Sequence, residues 1–347
     1  MIFLTRKWRP AVGGMETYCH EITSELKKLV SMAIVWLPGD RDHARPSFWA
    51  HMVFAMKSAE FLLREAPNFD VLHIADLATW PLAIIGRLRN RRILVVLSAH
   101  GMDIAFAFRR GFLPRLYRVY LKLGIHLLPT PRVIANSRAT EQLCRRIGFD
   151  NVSVITLGAR IHASGDCQPP EAYILFVGRL SARKGCRWFI ENVLPLLSAD
   201  MGLKIAATEW DDFEIPDEAN PRIDYLGPVF GADLVNLRAQ ATAVVVPNIW
   251  SGPEHYEGFG LTAVEGVSDG GVVIASRVDG LSDAVIDNET GFLLPAGNAP
   301  VWANKINEIA GWTIDERHAF ISNALGVIDE RFSWIRTAEK TMEIYDP

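Results

Sequence analysis

A chain of 347 residues with 49% hydrophobic and 22% charged residues carries core material for two soluble domains of ordinary size, which excludes a disordered or fibrous protein. Its most apolar runs, such as "RRILVVLSAH" and "ATAVVVPNIW", end in turn residues after a strand's length, far short of a membrane span. The net charge of −4 hides an asymmetry: residues 1–165 carry 23 Lys and Arg against 12 Asp and Glu (+11), leaving 13 against 28 (−15) for the rest. A basic half points to an anionic surface near it. No recognition motif accompanies those charges and the other half is acidic, so nucleic acid is not an expected partner.

"MIFLT" reads as a strand and "METYCHEITSELKKLV" as an amphipathic helix. The opening "MIFLTRKWRP" sets its apolar run before any basic residue, the wrong order for a secretory signal. Strands follow in "MAIVWLP", "VLHIA", "RILVVLSAH" and "RVIANS", the last leading into a helix over "RATEQLCRRIGF". The aperiodic "ARIHASGDCQPPEAY", with Gly165, Pro169 and Pro170, is the expected linker. The pattern then restarts: strand "ILFVG", helix "GCRWFIENVLPLLS", strands "GLKIAAT" and "IDYLG", helix "ADLVNLRAQA", strands "AVVVPN", "GVVIAS" and "GFLLP", and a helical C-terminus. Apolar strands alternating with helices mean parallel sheets covered on both faces. The expectation is an α/β protein of two Rossmann-like domains, 1–165 and 166–330, with ligands at the carboxyl ends of the strands in a cleft between them. Cys19, Cys144, Cys167 and Cys186 have no metal or C-x-x-C spacing and read as reduced thiols, so a cytoplasmic location is expected.

Two stretches of the second half hold the candidate chemistry. "EHYEGFGLTAVE", residues 254–265, sets Glu257 and Glu265 on either side of Gly258 and Gly260. Thr262 with Glu265 three residues on has the form of a capping box, which leaves both acids structural; the other reading has both carboxylates facing a ligand. "GRLSARKG", Gly178 to Gly185, puts Arg179 and Lys184 at the carboxyl end of a strand ahead of a helix, where a phosphate-bearing ligand is favoured.

Together with "GGMETYCHEIT", "AHG" at 99–101, "VIANSRATEQL", "FVGRLSARKG", "EGFGLTAVEG", "TGFLL" and "FSWIRTAEKTMEIY", these stretches resemble the retaining glycosyltransferases of family 4, in the family's order over nearly the whole chain. The resemblance implies the GT-B fold, with about 331–347 crossing back to the N-terminal domain. It implies a hexosyltransferase that takes a nucleotide-diphosphate sugar in the C-terminal half and a glycan or lipid-linked acceptor in the N-terminal half, in cell-surface polysaccharide or glycoconjugate synthesis. Glu265 then accepts from the ribose hydroxyls and Glu257 from the transferred sugar. The backbone of Gly178, Gly258, Phe259, Gly260, Leu261 and Thr262 lies against the donor. Arg179 and Lys184 take the charge of the leaving diphosphate, so no metal and no further cofactor is expected; "WDDF" at 210–213 is not read as a metal motif. Gly13 and Gly14 match the family's loop facing phosphate or acceptor, and His100 matches a histidine near the reacting carbon.

Asp279 and Asp283 stand where the family commonly has glycine and glutamate, and Glu209 and Trp210 where it commonly has a glycine-rich turn, which leaves the sugar and the base open. The alternatives are a nucleotide-sugar epimerase sharing the architecture, and a catalytically silent sugar-nucleotide binder. Finally, "GRLRNRR" at 86–92 and residues 109–128, with Arg109, Arg110, Arg115, Arg118 and Lys122 among Phe112, Leu113, Leu116 and Tyr120, form a cationic amphipathic stretch. Such a stretch suits an anionic membrane surface, giving an expected peripheral site on the inner face of the membrane.

Overall fold

The computed structural model describes residues 1–11, 13–38, 46–163, 169–209, 220–249 and 253–346; Gly165, Cys167, Trp210 and the rest of "WDDF" lie outside them, as does the side chain of Glu209. The chain divides into two compact units, Met1–Leu157 with Trp334–Pro347, and Gly158–Ser333. The division therefore falls after Leu157, ahead of the aperiodic linker's glycine and prolines.

Among the described residues each unit holds one six-stranded sheet, and every pairing in both is parallel. In the first unit the strands are β1 (Ile2–Thr5), β2 (Ala33–Trp36), β3 (Val71–Ile74), β4 (Leu94–Ala99), β5 (Arg132–Ala135) and β6 (Val152–Val154), in the order β2-β1-β3-β4-β5-β6. The chain steps from β1 out to β2 and thereafter in the other direction. With right-handed crossovers, that reversal puts the helix Gly14–Leu29 on one face and the helices Phe48–Glu65, Pro81–Arg89, Phe112–Leu127 and Arg138–Ile147 on the other. The last helix, Trp334–Tyr345, packs on Gly14–Leu29. Inside this unit the buried His73 bridges Tyr345 Oη (2.5 Å) and Ser98 Oγ (2.7 Å), and Thr337 Oγ1 donates to Thr156 O at 3.0 Å, so polar bonds as well as apolar packing hold the final helix. Burial pulls the His73 imidazole down to about 3, so it stays neutral and serves as a bridge rather than a charge.

In the second unit the strands are β7 (Glu171–Leu180), β8 (Gly202–Glu209), β9 (Ile223–Gly227), β10 (Ala241–Val246), β11 (Val273–Ser276) and β12 (Phe292–Leu294), in the order β12-β11-β10-β7-β8-β9. The strand order reverses between β7 and β10, which makes their carboxyl ends the topological switch point. The core beneath gathers Ile174, Phe176, Phe189, Ile205, Val245 and Trp302. Arg317 is buried with them, and its guanidinium donates to Ala241 O (2.7 Å) and Thr242 O (3.0 Å), stitching the helix Ile314–Arg331 to the start of β10.

Several elements differ from the reading of the sequence. The helix expected over "GCRWFIENVLPLLS" is a succession of short turns: α at Cys186–Trp188, π at Phe189–Val193 and 3-10 at Leu194–Leu196, where Pro195 supplies no N–H to continue an α-helix. The helix Phe48–Glu65 and the short β6 had no clear periodic signal. The capping box is absent: Gly260, with φ +97°, is the N-cap of the helix Leu261–Ser268, no side chain caps it, and Thr262 and Glu265 lie inside the helix.

Candidate functional site

The carboxyl end of β7 carries Gly178 and the exposed Arg179, and a 3-10 turn at Ala182–Lys184 follows. Gly185 closes that turn in the left-handed region (φ +71°), where a β-carbon would sit 1.9 Å from Pro247 O. Only glycine permits that approach, which pins the basic turn against the segment leaving β10. From there Asn248 and Glu257 complete one cluster. Lys184 Nζ lies 2.6 Å, Arg183 Nη1 2.5 Å and Asn248 Nδ2 2.8 Å from the same oxygen, Glu257 Oε2. Among the described residues no donor is directed at Glu257 Oε1, and the buried Asn248 Oδ1 accepts from none.

Burial alone would raise the Glu257 carboxyl, but Lys184, then Arg183, and the hydrogen bonds outweigh it and hold the group at about 2. Lys184 is pulled below its ordinary value by burial, with repulsion from Arg183 and Arg179 adding to it against the attraction of Glu257. Arg183, Lys184 and Arg179 thus gather near the carboxyls of Glu257 and Asp279, and the remaining positive charge favours an anion.

The backbone of the glutamate loop is fixed from the other side. Glu257 N–H donates to Asp279 Oδ2 at 3.2 Å, and Gly280 N–H donates to Glu257 O at 3.1 Å. A β-carbon on Gly280 would meet Gly258 O at 2.1 Å, so the two backbones touch. Phe259 is buried and meets Phe332, its rings 6.3 Å apart, so at this position the backbone rather than the side chain is available to a ligand. The first-turn amides of the helix Leu261–Ser268, beyond Gly260, form the positive end of its dipole beside the cluster.

Glu265 lies one turn on, half-buried. Arg238 Nη2 donates to its Oε2 at 3.0 Å and Arg238 Nη1 to Asp269 Oδ2 at 2.7 Å, while Asp269 Oδ1 lies 2.8 Å from His162 Nδ1. Arg238 and Asp269 are buried, so the Glu265 carboxylate stands on a fixed ionic support. Sequence reasoning did not select Arg183, Asn248, Arg238 or Asp269, and it noted Asp279 only as a departure from the family's pattern. Arg183 was visible beside Lys184 in a basic run; the others are remote in sequence from their partners and gave no local signal. A hollow of about 320 Å³ lined by Glu171, Gly202, Lys204 and Arg222 opens at the amino ends of β7 and β8 instead, opposite the end where parallel sheets bind ligands.

In the first unit, His100 follows β4 and is half-buried. Its Nε2 donates to Ala75 O at 3.0 Å, which leaves Nδ1 as the acceptor nitrogen, and its backbone N–H donates to Asp103 Oδ1 at 2.9 Å. Burial pulls the imidazole down despite Asp103, so it is neutral near pH 7. Gly13 and Gly14 open the helix Gly14–Leu29. Gly13 is extended, and its small size is used by Glu16, whose Oε2 would lie 2.6 Å from a β-carbon there. Glu16 thus occupies the first turn of the helix, 3.4 Å from Lys7 Nζ.

Comparison with known proteins covers both units. Residues 12–161 match the family described as Glycosyltransferase Family 4, and residues 171–311 match Glycosyl transferases group 1. The chain is 37% identical over 121 residues to the D-inositol 3-phosphate glycosyltransferase of Saccharomonospora viridis, covering 35% of this chain and 26% of that one. It is 31% identical over 193 residues to the enzyme of the same name from Actinosynnema mirum, covering 51% and 44%. The matched stretches thus span less than half the length of these curated relatives. In fold it resembles Anabaena HepE in complex with UDP-glucose, with a TM-score of 0.70 and 19% identity over 99% of each chain.

Proposed function

Since the chain belongs to the glycosyltransferases of family 4, we propose that it moves a hexosyl group, with retention of configuration, from a nucleotide-diphosphate sugar to a glycan or lipid-linked acceptor. The observation that carries the reading is the cluster at the switch point of the second sheet, where Lys184 and Arg183 share Glu257 Oε2 and leave Oε1 for a ligand. A sugar hydroxyl donating to Glu257 Oε1 and accepting nothing from it suits an ionised carboxylate, which only accepts. A ribose hydroxyl pair suits Glu265, already braced by Arg238. The backbone of Gly178 and of Phe259 to Thr262 lies on the donor in this reading. UDP-glucose in the complex of HepE supports the donor class.

In the proposed reaction the bond between the anomeric carbon and the diphosphate oxygen breaks, and the acceptor oxygen bonds to that carbon on the same face. The acceptor's proton passes to the leaving diphosphate. Lys184 and Arg179 take up the charge that grows on that diphosphate, and the proposal includes no metal. His100 contributes position and an acceptor nitrogen, not a charge, because burial holds its imidazole below the ordinary value while its Nε2–H is given to Ala75 O. The acceptor is assigned to the first unit, with Gly13, Gly14 and His100, and is presented at a cytoplasmic membrane face in surface-glycan synthesis.

The test is release of nucleoside diphosphate from a panel of nucleotide sugars, with and without membrane extract, and the anomeric configuration of the product by NMR. Acceptor-dependent release with retained configuration is expected, and Lys184→Ala should lower kcat by ~10² to 10³ with a smaller effect on donor binding. A free sugar formed without any acceptor would instead identify the epimerase, and binding without turnover the silent binder.

A further inference from the structure

The helix Phe112–Leu127 is apolar on two opposite faces. Pro114, Leu121 and Gly124 are buried against the unit. Phe112, Leu113, Leu116, Val119, Leu123 and Leu127 are all exposed, Phe112 by 76%. At about 100° per residue they fall on one stripe roughly opposite the buried side. Arg115, Lys122 and His126 are exposed along one flank of that stripe, Arg110 is exposed just ahead of the helix, and the helix contains no Asp or Glu. A second helix of the same layer, Phe48–Glu65, repeats the arrangement: Phe54, Ser58 and Leu62 are buried, while Phe48, Trp49, Met52 and Met56 are exposed, Trp49 by 74%. Its Lys57 is exposed, and its Glu60 is taken by Arg64 at 2.8 Å.

Both helices start at the carboxyl end of the first sheet, since one follows β2 and the other follows β4. A folded protein rarely leaves so much aromatic and aliphatic surface in water without a use for it. From the two apolar stripes and the unopposed basic flank we infer that this face of the first unit seats on an anionic lipid bilayer. Phe112, Leu116, Phe48 and Trp49 enter the interfacial layer, and Arg110, Arg115 and Lys122 meet the headgroups. The charge pattern selects an anionic bilayer over a second copy of the chain, because a self-contact would set these cations against one another. Seating also sets the acceptor position: Tyr117 on the same helix donates to Asp103 O at 2.8 Å, and Asp103 holds the backbone of His100. The lipid-facing helix is therefore two hydrogen bonds from the residue assigned to the acceptor. This inference rests on the proposed lipid-linked acceptor for its purpose but is measured without it.

The experiment is flotation of the full chain with vesicles of phosphatidylcholine alone or with phosphatidylglycerol, at low and high salt. Alongside it, donor turnover is followed on a water-soluble acceptor. Binding to the anionic vesicles, weakened by salt, is expected. Arg110→Gln with Arg115→Gln and Lys122→Gln should weaken it on the order of a hundredfold. Arg109 and Arg118 are left in place, because Arg118 Nε donates to Ala107 O at 2.8 Å and Arg109 lies 5.6 Å from the Phe106 ring, so both have structural work. Phe112→Ser with Leu116→Ser should abolish binding, with the thermal melt and soluble-acceptor turnover unchanged. The inference is overturned if anionic vesicles at low salt do not bind, if either set of changes leaves binding intact, or if the serine variants dissolve a dimer seen by light scattering. Loss of turnover with vesicle binding intact would count against the proposed reaction and not against the surface.

Discussion

Glu257 Oε2 accepts from three donors, and this makes the side chain a structural ion as well as a candidate ligand contact. Its carboxyl is held at about 2 against an ordinary 4.5, so the folded state favours the ionised form by about 3 kcal/mol. A depressed carboxyl contributes stability that is present above 4.5 and lost as pH falls through about 2. Denaturant melts between pH 7 and 2 should therefore show Glu257→Gln about 3 kcal/mol less stable at pH 7, with the gap closing as the acid end is reached. A gap that persists unchanged at the acid end would remove the charge from the explanation. At this scale the sequence was partly legible. Lys184 and Glu257 lie in short runs whose composition marks them, and the structure brings them together. Arg238 and Asp279 act across 27 and 22 residues on Glu265 and Glu257, and no local pattern encodes a partnership at that range.

At the scale of elements, glycine sets the loop. Gly280 touches the backbone of Gly258, so Gly280→Ala must displace the turn that carries Glu257. We expect a loss of about 1 to 3 kcal/mol in stability and at least a tenfold loss in donor affinity by calorimetry. The contrast is Gly326→Ala in the helix Ile314–Arg331, where a β-carbon meets nothing within 4 Å. That change should stabilise by about 0.5 to 1 kcal/mol and leave donor affinity alone. The central strands were readable because β1, β3, β10 and β11 are short, largely apolar runs buried along their whole length, whereas the edge strands β2, β9 and β6 are partly exposed. The helix Phe48–Glu65 was not, because its exposed side is as apolar as its buried side and the 3.6-residue period disappears. The capping-box alternative for Thr262 and Glu265 falls for a similar reason: a glycine N-cap carries no side chain to announce the start of a helix.

At the scale of the whole molecule, the second unit is one continuous stretch, whereas the first is closed by Trp334–Tyr345 after the chain has passed through all of the second. That helix buries Trp334, Ala338 and Tyr345 and carries the bond to His73, a contribution on the order of 5 kcal/mol. A chain cut after Ser333 should lose its first calorimetric unit by about that amount. Limited proteolysis should leave a resistant core spanning 158–333, and equal digestion of both units would contradict the division. The two-unit α/β plan followed from the alternation of strands and helices, while the discontinuity rested on resemblance, since nothing in "FSWIRTAEKTMEIY" itself names the sheet it will join. The discontinuity also orders events at the ribosome. Residues 1–157 leave the ribosome before residues 158–333 and cannot be completed until Trp334–Tyr345 has been translated, so the unit that presents two greasy helices waits open through the synthesis of the other. During that wait the nascent chain is the form most in need of a chaperone or a lipid surface.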